Sequence, residues 1–408
     1  MLSWSFYGTF LCMLLVQFVA SIPWLFALFF RRDQVGSSFI QRLGTVVIVW
    51  LATGAIAAVF VAFQSRQSLE TWGYFFAGVL QVQLTLDAVI LAMAGLLLLW
   101  PKGGAVAQAA FREGVRQPMF WLIVMFAFIA LSGAPIVPYF TFGEDYIMTK
   151  ELGYDFIMLA TVVFGVLAAT LFVTDEIEGR TAITLMSKPI SRRQFLLGKF
   201  VGIMLASALM FGILGFYFQD ILLFKHWFDK DDPVAVPQWI AAGLVNLAAP
   251  ADTTDFLRGI GMWTQHMLDT LPGLILSFCQ VMVLVAFAVS FATRVPMVVN
   301  LVGVLTIFFL AHLSPVLVQI GAAAQTQQDE SVTSQLFAST ILNFAAQVFN
   351  TLLPALEFFR ITPRLVGDQP PEAGPYIFYL ASVFFYGILY TTIVLVFGLI
   401  LFEDRDLA

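Results

Sequence analysis

Long apolar stretches recur along this sequence, and they constrain the fold more than any other feature. Of its 408 residues, 60% are hydrophobic and 11% are charged, whereas a soluble domain carries about 25% charged residues. A helix needs roughly 20 apolar residues to cross the hydrocarbon core of a bilayer. We therefore expect an all-α polytopic membrane protein with about nine transmembrane helices. The predicted spans are 6–30, 43–63, 72–100, 119–137, 156–173, 195–218, 271–292, 297–318 and 376–402.

Lysine and arginine are concentrated on one side of these predicted spans. With residues 172–199 in the cytoplasm, the cytoplasmic side holds 13 of the 20 basic residues, and an excess of Lys and Arg marks cytoplasmic loops. We therefore expect the N-terminus outside and the C-terminus in the cytoplasm. The first apolar stretch has no cleavage-like site after a short core, so we expect a retained span and not a signal peptide.

Two segments on the outer side are too long to be simple turns. Residues 219–270 carry apolar side chains at helical spacing, which predicts an amphipathic helix. These are Phe256, Ile260, Trp263 and Met267. Residues 319–375 carry a second apolar stripe between Ile341 and Leu356, which predicts a helix at the membrane surface or on the outer helix ends. Packing is the simpler role for this second helix, and a periplasmic partner for the outer regions is the alternative.

The most highly charged stretch, residues 174–199, lies between two predicted spans. Thr174 can cap a helix whose first turn is acidic, and Lys188-Pro189 ends that helix. Ser191 and Gln194 have the spacing of a capping box that starts the next helix. The charged residues are Asp175, Glu176, Glu178, Arg180, Lys188, Arg192, Arg193 and Lys199. A short charged helix at 174–190 suits the docking of a soluble partner, and an ordinary cytoplasmic loop is the alternative.

This segment resembles the coupling helix of ABC-2 type transporter permeases. The family pattern is E-x-E-x-G-T-x-x-x-L-x-S-K-P-I-S-R-x-x-[FY]-x-x-G-K, and Arg180 stands as an extra residue between its Gly and Thr. The matching residues are Glu176, Glu178, Gly179, Thr181, Leu185, Ser187, Lys188, Pro189, Ile190, Ser191, Arg192, Gly198 and Lys199. The resemblance implies a surface that docks on a separate ATPase subunit. Its residues are Asp175, Glu176, Glu178, Arg180, Thr181, Leu185, Ser187 and Lys188.

Two further segments extend the resemblance over about 105–408. The stretch "AFREGVRQPMFW" is similar to the amphipathic elbow helix that opens these permeases. Its expected apolar stripe is Ala107, Ala110, Phe111 and Val115, and its polar stripe is Gln108, Arg112 and Arg116. The segments "LLPALEFFRI" and "FEDRDLA" resemble the family's ending. We therefore expect a three-helix extension at 1–100, an elbow helix at 101–118 and a six-helix core at 119–408, closest to permeases for multicopper-enzyme maturation.

The resemblance implies a transmembrane permease subunit of an ATP-driven exporter in the bacterial cytoplasmic (inner) membrane. Its expected partners are an ABC ATPase subunit, a second permease subunit that is the same chain or a different one, and membrane lipids. The chain has no P-loop motif, so ATP and Mg are expected only in the partner ATPase and no cofactor in this chain. We see no nucleophile motif, no metal-ligand cluster and no basic block for nucleic acid, and therefore expect no enzyme activity.

Several single residues raise further hypotheses. Asp87 lies inside a predicted span, where a charge costs roughly 2.5–3.5 kcal/mol. It is predicted either to contact a proton, ion or substrate or to be a hydrogen-bonded structural residue near Gln81 and Gln83. Gly198 and Gly202 have the spacing that allows close helix approach. The three histidines, His226, His266 and His312, are scattered, and none is expected to pair with another histidine on a span.

Two alternatives to the exporter stay open at this point. The chain could be a non-transporting structural or anchoring subunit of a larger membrane complex, because it has three additional spans and two sizeable outer regions. It could also be an ion-coupled carrier that uses Asp87. The nearly apolar spans favour an amphipathic or lipidic cargo, and they are equally what lipid contact and helix packing require.

Overall fold

The computed structural model describes residues 4–29, 65–136, 145–174, 190–229, 236–246, 251–326, 353–360 and 373–403, and isolated positions between them that include Glu176. These residues form ten α-helices and no strand. The helices are α1 (Trp4–Phe29), α2 (Arg66–Leu99), α3 (Pro101–Arg116), α4 (Pro118–Gly133), α5 (Asp145–Ala169), α6 (Arg192–Asp229), α7 (Gln238–Asn246), α8 (Ala251–Ala292), α9 (Met297–Thr326) and α10 (Ala373–Glu403).

Six described helices are long and apolar enough to cross a membrane. They are Ser68–Leu99, Pro118–Ile136, Asp145–Thr174, Arg192–Asp229, Thr253–Ala292 and Gly374–Glu403. Shorter apolar stretches lie in α1 at Met13–Pro23 and in α9 at Met297–Leu313. The predicted span 43–63 lies outside the described residues except for isolated helical positions. The prediction of an all-α polytopic membrane protein is confirmed.

Three helices extend well beyond the predicted spans, and those predicted limits were wrong. Helix α5 begins at Asp145, α6 continues to Asp229, and α8 begins at Ala251. The separate amphipathic helix expected within 219–270 is therefore the first half of α8, which continues through Pro272 into its apolar half. Hydropathy marks the part of a helix that matches the bilayer, whereas these helices continue where their side chains find protein partners.

The second outer region is described only in part. A 3₁₀ turn covers Leu356–Phe359, and α10 begins at Ala373. Most of the amphipathic helix predicted between Ile341 and Leu356 lies outside the described residues; within it Phe344 and Gln347 are helical and exposed, whereas 353–355 are irregular and Leu356 is buried in the 3₁₀ turn.

By backbone contacts, the chain forms two compact units, each built from three segments that are not consecutive in sequence. Unit 1 comprises Met1–Leu99, Leu131–Pro138 and Gly212–Leu271, and unit 2 comprises Trp100–Ala130, Tyr139–Phe211 and Pro272–Ala408. The extension, elbow and core boundaries expected from the sequence stay predictions.

Within unit 1, α2 and the first half of α8 approach each other at the distance of backbone contact. A Cβ atom added to Gly73 would lie 2.0 Å from the Phe256 carbonyl oxygen, and one added to Gly259 would lie 1.9 Å from the Glu70 carbonyl oxygen. Only glycine permits so close an approach of two helices. Beside this contact, Leu69 and Phe256 are buried with partly buried side chains of α1.

Within unit 2, the second half of α8 lies at the centre. Its side chains from Val281 to Val289 are almost all fully buried, as expected for a helix that is apolar on every side and covered by protein. Gly165 of α5 lies against Val285, and Gly398 of α10 lies against Ser290, since a Cβ atom at either glycine would be 2.4 Å from these side chains. Helices α5 and α10 therefore pack directly on α8.

Candidate functional site

The beginning of α6 is fixed by local hydrogen bonds that the sequence predicted. The Ser191 backbone N–H donates to Gln194 Oε1 at 3.1 Å, and the Gln194 backbone N–H donates to Ser191 Oγ at 3.2 Å. These reciprocal bonds are the capping box, which satisfies two amide groups that would otherwise lack acceptors at a helix start. The first turn of α6, which follows the predicted docking helix at 174–190, is thereby held in place.

Lys199, two turns into α6, is a buried cation that joins three parts of unit 2. Its side chain is 4% exposed, and its Nζ donates to Glu176 Oε1 at 2.6 Å. The same Nζ lies 3.9 Å from Glu113 Oε2 on α3. It also lies 5.6 Å from the centre of the Phe172 ring and 5.9 Å from that of Phe195, within the range of cation–π attraction. We call Lys199, Glu176 and Glu113 the lysine cluster.

The two carboxylates of the lysine cluster are not equivalent. Glu176 is close and partly buried, whereas Glu113 is 45% exposed and farther from the ammonium. Burial raises the pKa of Glu113 above its ordinary value, Lys199 opposes this shift, and the negative charge of Glu176 adds to it. Glu176 is therefore the main ionic partner of Lys199, and Glu113 is the carboxyl group that takes up a proton more readily than usual.

Small residues bring α3 directly against α6 beside the lysine cluster. A Cβ atom at Gly198 would lie 2.8 Å from the Gly103 carbonyl oxygen, and one at Gly202 would lie 2.4 Å from the Ala107 carbonyl oxygen. The close approach predicted for the Gly198 and Gly202 pair is confirmed. Because neither glycine position has room for a side chain, α3 has little freedom to slide along α6.

The residues that lead into the charged segment form a π-helical turn, Thr170–Thr174. Thr174 Oγ1 donates to the Ala292 carbonyl oxygen at 2.9 Å, at the end of α8. Asn300 of α9 donates from Nδ2 to Thr170 Oγ1 at 3.1 Å and to the Ala288 carbonyl oxygen at 3.0 Å. The Thr174 and Asn300 side chains are buried, and their hydrogen bonds attach the turn to the end of α8 and the start of α9. Turns of this kind are frequent at functional sites.

Arginine side chains satisfy the last carbonyl groups of α10. Arg192 Nη1 donates to the carbonyl oxygens of Phe402 and Glu403, each at 2.9 Å, and Arg294 Nε donates to that of Leu401 at 2.8 Å. The carbonyl groups at a helix C-terminus lack partners within the helix and carry partial negative charge. The end of α10 is therefore joined to the start of α6 and to the turn after α8.

These contacts bring one end of α3, α5, α6, α8, α9 and α10 together near Thr174 and Glu176. A family model described as ABC-2 family transporter protein matches residues 105–407, which include all six of these helices except the first four residues of α3. The chain belongs to the ABC-2 transporter family. A comparison with curated proteins finds no match for the chain. As a member of this family it is a multi-pass membrane protein of the permease type.

In this ABC-2 permease, the structure describes only part of the predicted docking segment. Thr174 ends the π-helical turn, and Glu176 is helical and paired with Lys199. The remaining docking residues lie outside the described residues, namely Asp175, Glu178, Arg180, Thr181, Leu185, Ser187 and Lys188. The residues that Thr174 was expected to cap also lie there.

Helix α3 lies within the predicted elbow helix, 101–118, whose role in the permease stays a prediction. Arg112 and Arg116 are exposed, and Phe111 is half-buried. The buried face differs from the predicted stripe, because it is built from smaller residues. It comprises Gly103, Gly104, Val106, Ala107, Ala110 and Gly114, whereas Val115 is only half-buried. Close packing on α6 selects small side chains over the largest apolar ones.

Asp87, the predicted intramembrane polar site, lies in α2 within unit 1. It is 7% exposed, and its Oδ1 has no hydrogen-bond partner among the described residues. Gln81 and Gln83 are also buried. The role of Asp87 stays a prediction, since nothing described places a ligand or a cation beside it.

The prediction that no histidine pairs with another was wrong. In unit 1, the rings of His226 and His266 stack with centres 5.6 Å apart and planes 10° apart, and the Tyr74 hydroxyl lies 2.8 Å from His266 Nδ1. The two residues are far apart in sequence and meet because α6 and α8 extend beyond their apolar stretches. His312, in contrast, lies beside the Phe308 ring with its Nδ1 2.9 Å from the Phe308 carbonyl oxygen.

Proposed function

We propose that the chain is the transmembrane permease subunit of an ATP-driven exporter in the bacterial cytoplasmic membrane. Its coupling segment, residues 174–190, docks on a separate ABC ATPase subunit, which supplies ATP and Mg. The permease works as a dimer of transmembrane subunits. The N-terminus lies outside and the C-terminus in the cytoplasm, as the distribution of Lys and Arg favours.

The observation that carries this proposal is the buried ion pair between Lys199 and Glu176. It fixes the start of the coupling segment to α6, and Glu113 adds α3 to the same cation. The π-helical turn that leads into the segment is hydrogen-bonded to the end of α8. When the ATPase subunits close on ATP, their push on the coupling segment therefore moves these helices together as a rigid body.

The test is the co-purification of the ATPase with permease variants from the native membrane. Glu178→Lys reverses one charge of the coupling segment, and we expect it to reduce ATPase association. Glu176 is left unchanged, because its loss would leave the buried Lys199 ammonium without its main partner and would destabilise the fold. Glu357→Lys is the matched control, since Glu357 is an exposed acid of the 3₁₀ turn. Unchanged association of the Glu178→Lys variant would refute the docking assignment.

The same purification separates this proposal from the anchoring alternative. One ATPase per permease in the complex supports an exporter. A stable set of other membrane or periplasmic proteins without an ATPase would instead favour a structural subunit that has the permease fold.

A further inference from the structure

A polar cleft in unit 2 lies at the end of α5 that is distant from the coupling segment. It is lined by Glu151, Tyr154, Asp155, Gly273, Ser277, Gln280, Phe359 and Arg360. The cleft encloses about 350 Å³ of space, part of it open to solvent. Its interior admits a group about the size of a water molecule or an ammonium ion.

The cleft is lined by two acidic side chains and one basic one, which favours the binding of a cation. Glu151 and Asp155 are separated by one turn of α5, so their carboxylates are neighbours. Arg360 Nη2 lies 3.6 Å from Asp155 Oδ2, and both side chains are 50% exposed. Glu151 makes no ion pair with a described residue. Among the described residues, Arg360 pairs with Asp155 and the His312 ring also acts on that carboxylate, so an additional positive group would be stabilised mainly beside Glu151.

The lining of the cleft also includes a buried hydrogen-bond donor. Gln280 of α8 is 4% exposed, and its Nε2 has no hydrogen-bond partner among the described residues. A buried amide group that lacks a partner costs roughly 1–3 kcal/mol, so a ligand with an acceptor oxygen would be stabilised there. Ser277, also buried, adds a hydroxyl group one turn away. The ligand that fits carries both a cationic group and an oxygen acceptor.

The backbone of α8 is shaped to allow this arrangement. A Cβ atom at Gly273 would lie 2.5 Å from Cζ of the Tyr154 ring, so a larger residue there would push the ring away from α8. Tyr154 is 6% exposed and Phe359 is 2% exposed. Aromatic rings at the side of the cleft can add cation–π attraction to a bound organic cation.

The level of the cleft matches the boundary of the bilayer. Asp155 and Thr174 lie on the same helical run, and the rise of an α-helix separates them by about 28 Å. The hydrocarbon core is about 30 Å thick. With Thr174 at one boundary of the hydrocarbon core, Asp155 would lie near the other boundary, on the side opposite the coupling segment.

From these observations we propose that the cleft binds the primary ammonium group of an ethanolamine-type ligand. The ammonium lies between Glu151 and Asp155, and the neighbouring oxygen accepts from Gln280 and Arg360. Phosphatidylethanolamine in the bilayer and soluble phosphoethanolamine share this chemistry. Binding requires neither ATP nor the ATPase, so this proposal can fail while the exporter assignment holds, and the reverse is also true.

The test is lipid binding to the purified full chain. Phosphatidylethanolamine and phosphatidylcholine with identical acyl chains are titrated, and bound lipid is counted by native mass spectrometry. We expect phosphatidylethanolamine to bind about tenfold more tightly, because a quaternary ammonium has no N–H to donate to a carboxylate. Glu151→Gln should abolish this difference, Gln280→Leu should weaken it, and the control Glu403→Gln, an exposed acid at the other end of α10, should leave it unchanged.

Equal binding of the two lipids by the natural chain would overturn the proposal, as would a preference that survives Glu151→Gln. A titration with phosphoethanolamine alone identifies the source of the ligand. Binding as tight as that of the lipid, and lost in the Glu151→Gln variant, would assign the cleft to a soluble amine. Binding only of the lipid would assign it to the membrane.

Discussion

Lys199 is a buried cation balanced by two carboxylates of unequal exposure, and this inequality determines the effect of each substitution. A buried charge that loses its partner is far more costly than a buried pair, and an apolar replacement of the whole pair is often tolerated. Glu176 is the close partner at 2.6 Å, and Glu113 lies at 3.9 Å. The cost of substitution should therefore depend on which charge remains behind.

We predict that Glu176→Gln destabilises the protein by about 2–3 kcal/mol, because among the described residues Lys199 then keeps only the more distant Glu113. The double variant Lys199→Met with Glu176→Gln should recover part of this loss, since no unpaired cation remains. Thermal unfolding of the purified chain measures both. Arg193→Gln serves as the control, because its pair with Glu403 is exposed and worth less than about 1 kcal/mol. A double variant less stable than Glu176→Gln would contradict this account.

Glu113 should give stability a dependence on pH. Because its pKa is raised above 4.5, the folded protein binds this proton more tightly than the unfolded chain does. Its contribution to stability is therefore present at acid pH and lost as the pH rises from 4.5 through the raised pKa. We predict that stability falls less steeply over this interval in Glu113→Gln than in the natural chain. Unfolding curves measured at several pH values test this, and parallel profiles would show that Glu113 contributes nothing.

At the scale of helices, backbone contact fixes α3 on α6 and leaves no room for a methyl group. Gly202→Ala would place a Cβ atom 2.4 Å from the Ala107 carbonyl oxygen. We predict a loss of about 1–3 kcal/mol, as for other overpacked sites. In contrast, a Cβ atom at Gly95 of α2 would meet no atom within 4 Å. Gly95→Ala should be neutral or should stabilise by roughly 0.5–1 kcal/mol. If the melting temperatures of the two variants fell by the same amount, the packing argument would be contradicted.

The sequence predicted what is local and missed what depends on distant contacts. The Ser191–Gln194 capping box, the helix at Pro101–Arg116 and the close approach at Gly198 and Gly202 follow from short patterns, and all are present. The pairing of Lys199 with Glu113 joins two helices with no shared motif, and no spacing could reveal it. The only available signal was that Lys199 begins an apolar run, where a charge needs a partner.

The helix ends show the same division between local pattern and distant contact. The apolar half of α8 was predicted, whereas its first half was assigned to a separate helix because its polar residues break the hydropathy pattern. The first half of α8 is held by contacts with other helices, since Phe256 is buried beside Leu69 and Gly259 touches the Glu70 carbonyl group. Contacts of this kind depend on residues far away in sequence.

At the scale of the whole molecule, the distribution of basic residues predicts which side of the membrane each end of unit 2 faces. We expect a cysteine at Arg112 to be labelled only from the cytoplasm and one at Glu357 only from the outside. Both side chains are exposed. The background for this experiment carries Cys12→Ala and Cys279→Ala, and a membrane-impermeant maleimide is applied to intact cells and to inverted vesicles. Reversed labelling would invert the topology and remove the basis for cytoplasmic docking.

The arginine contacts at the end of α10 have a consequence for the biosynthesis of the protein. Arg192 and Arg294 leave the ribosome well before the carbonyl groups of Leu401 and Phe402 that they bind. Until α10 is inserted, these guanidinium groups lack the acceptors that its last carbonyl groups supply. The surface around the coupling segment is thus finished late in biosynthesis. An ATPase that recognises this surface would therefore assemble with completed chains in preference to nascent ones.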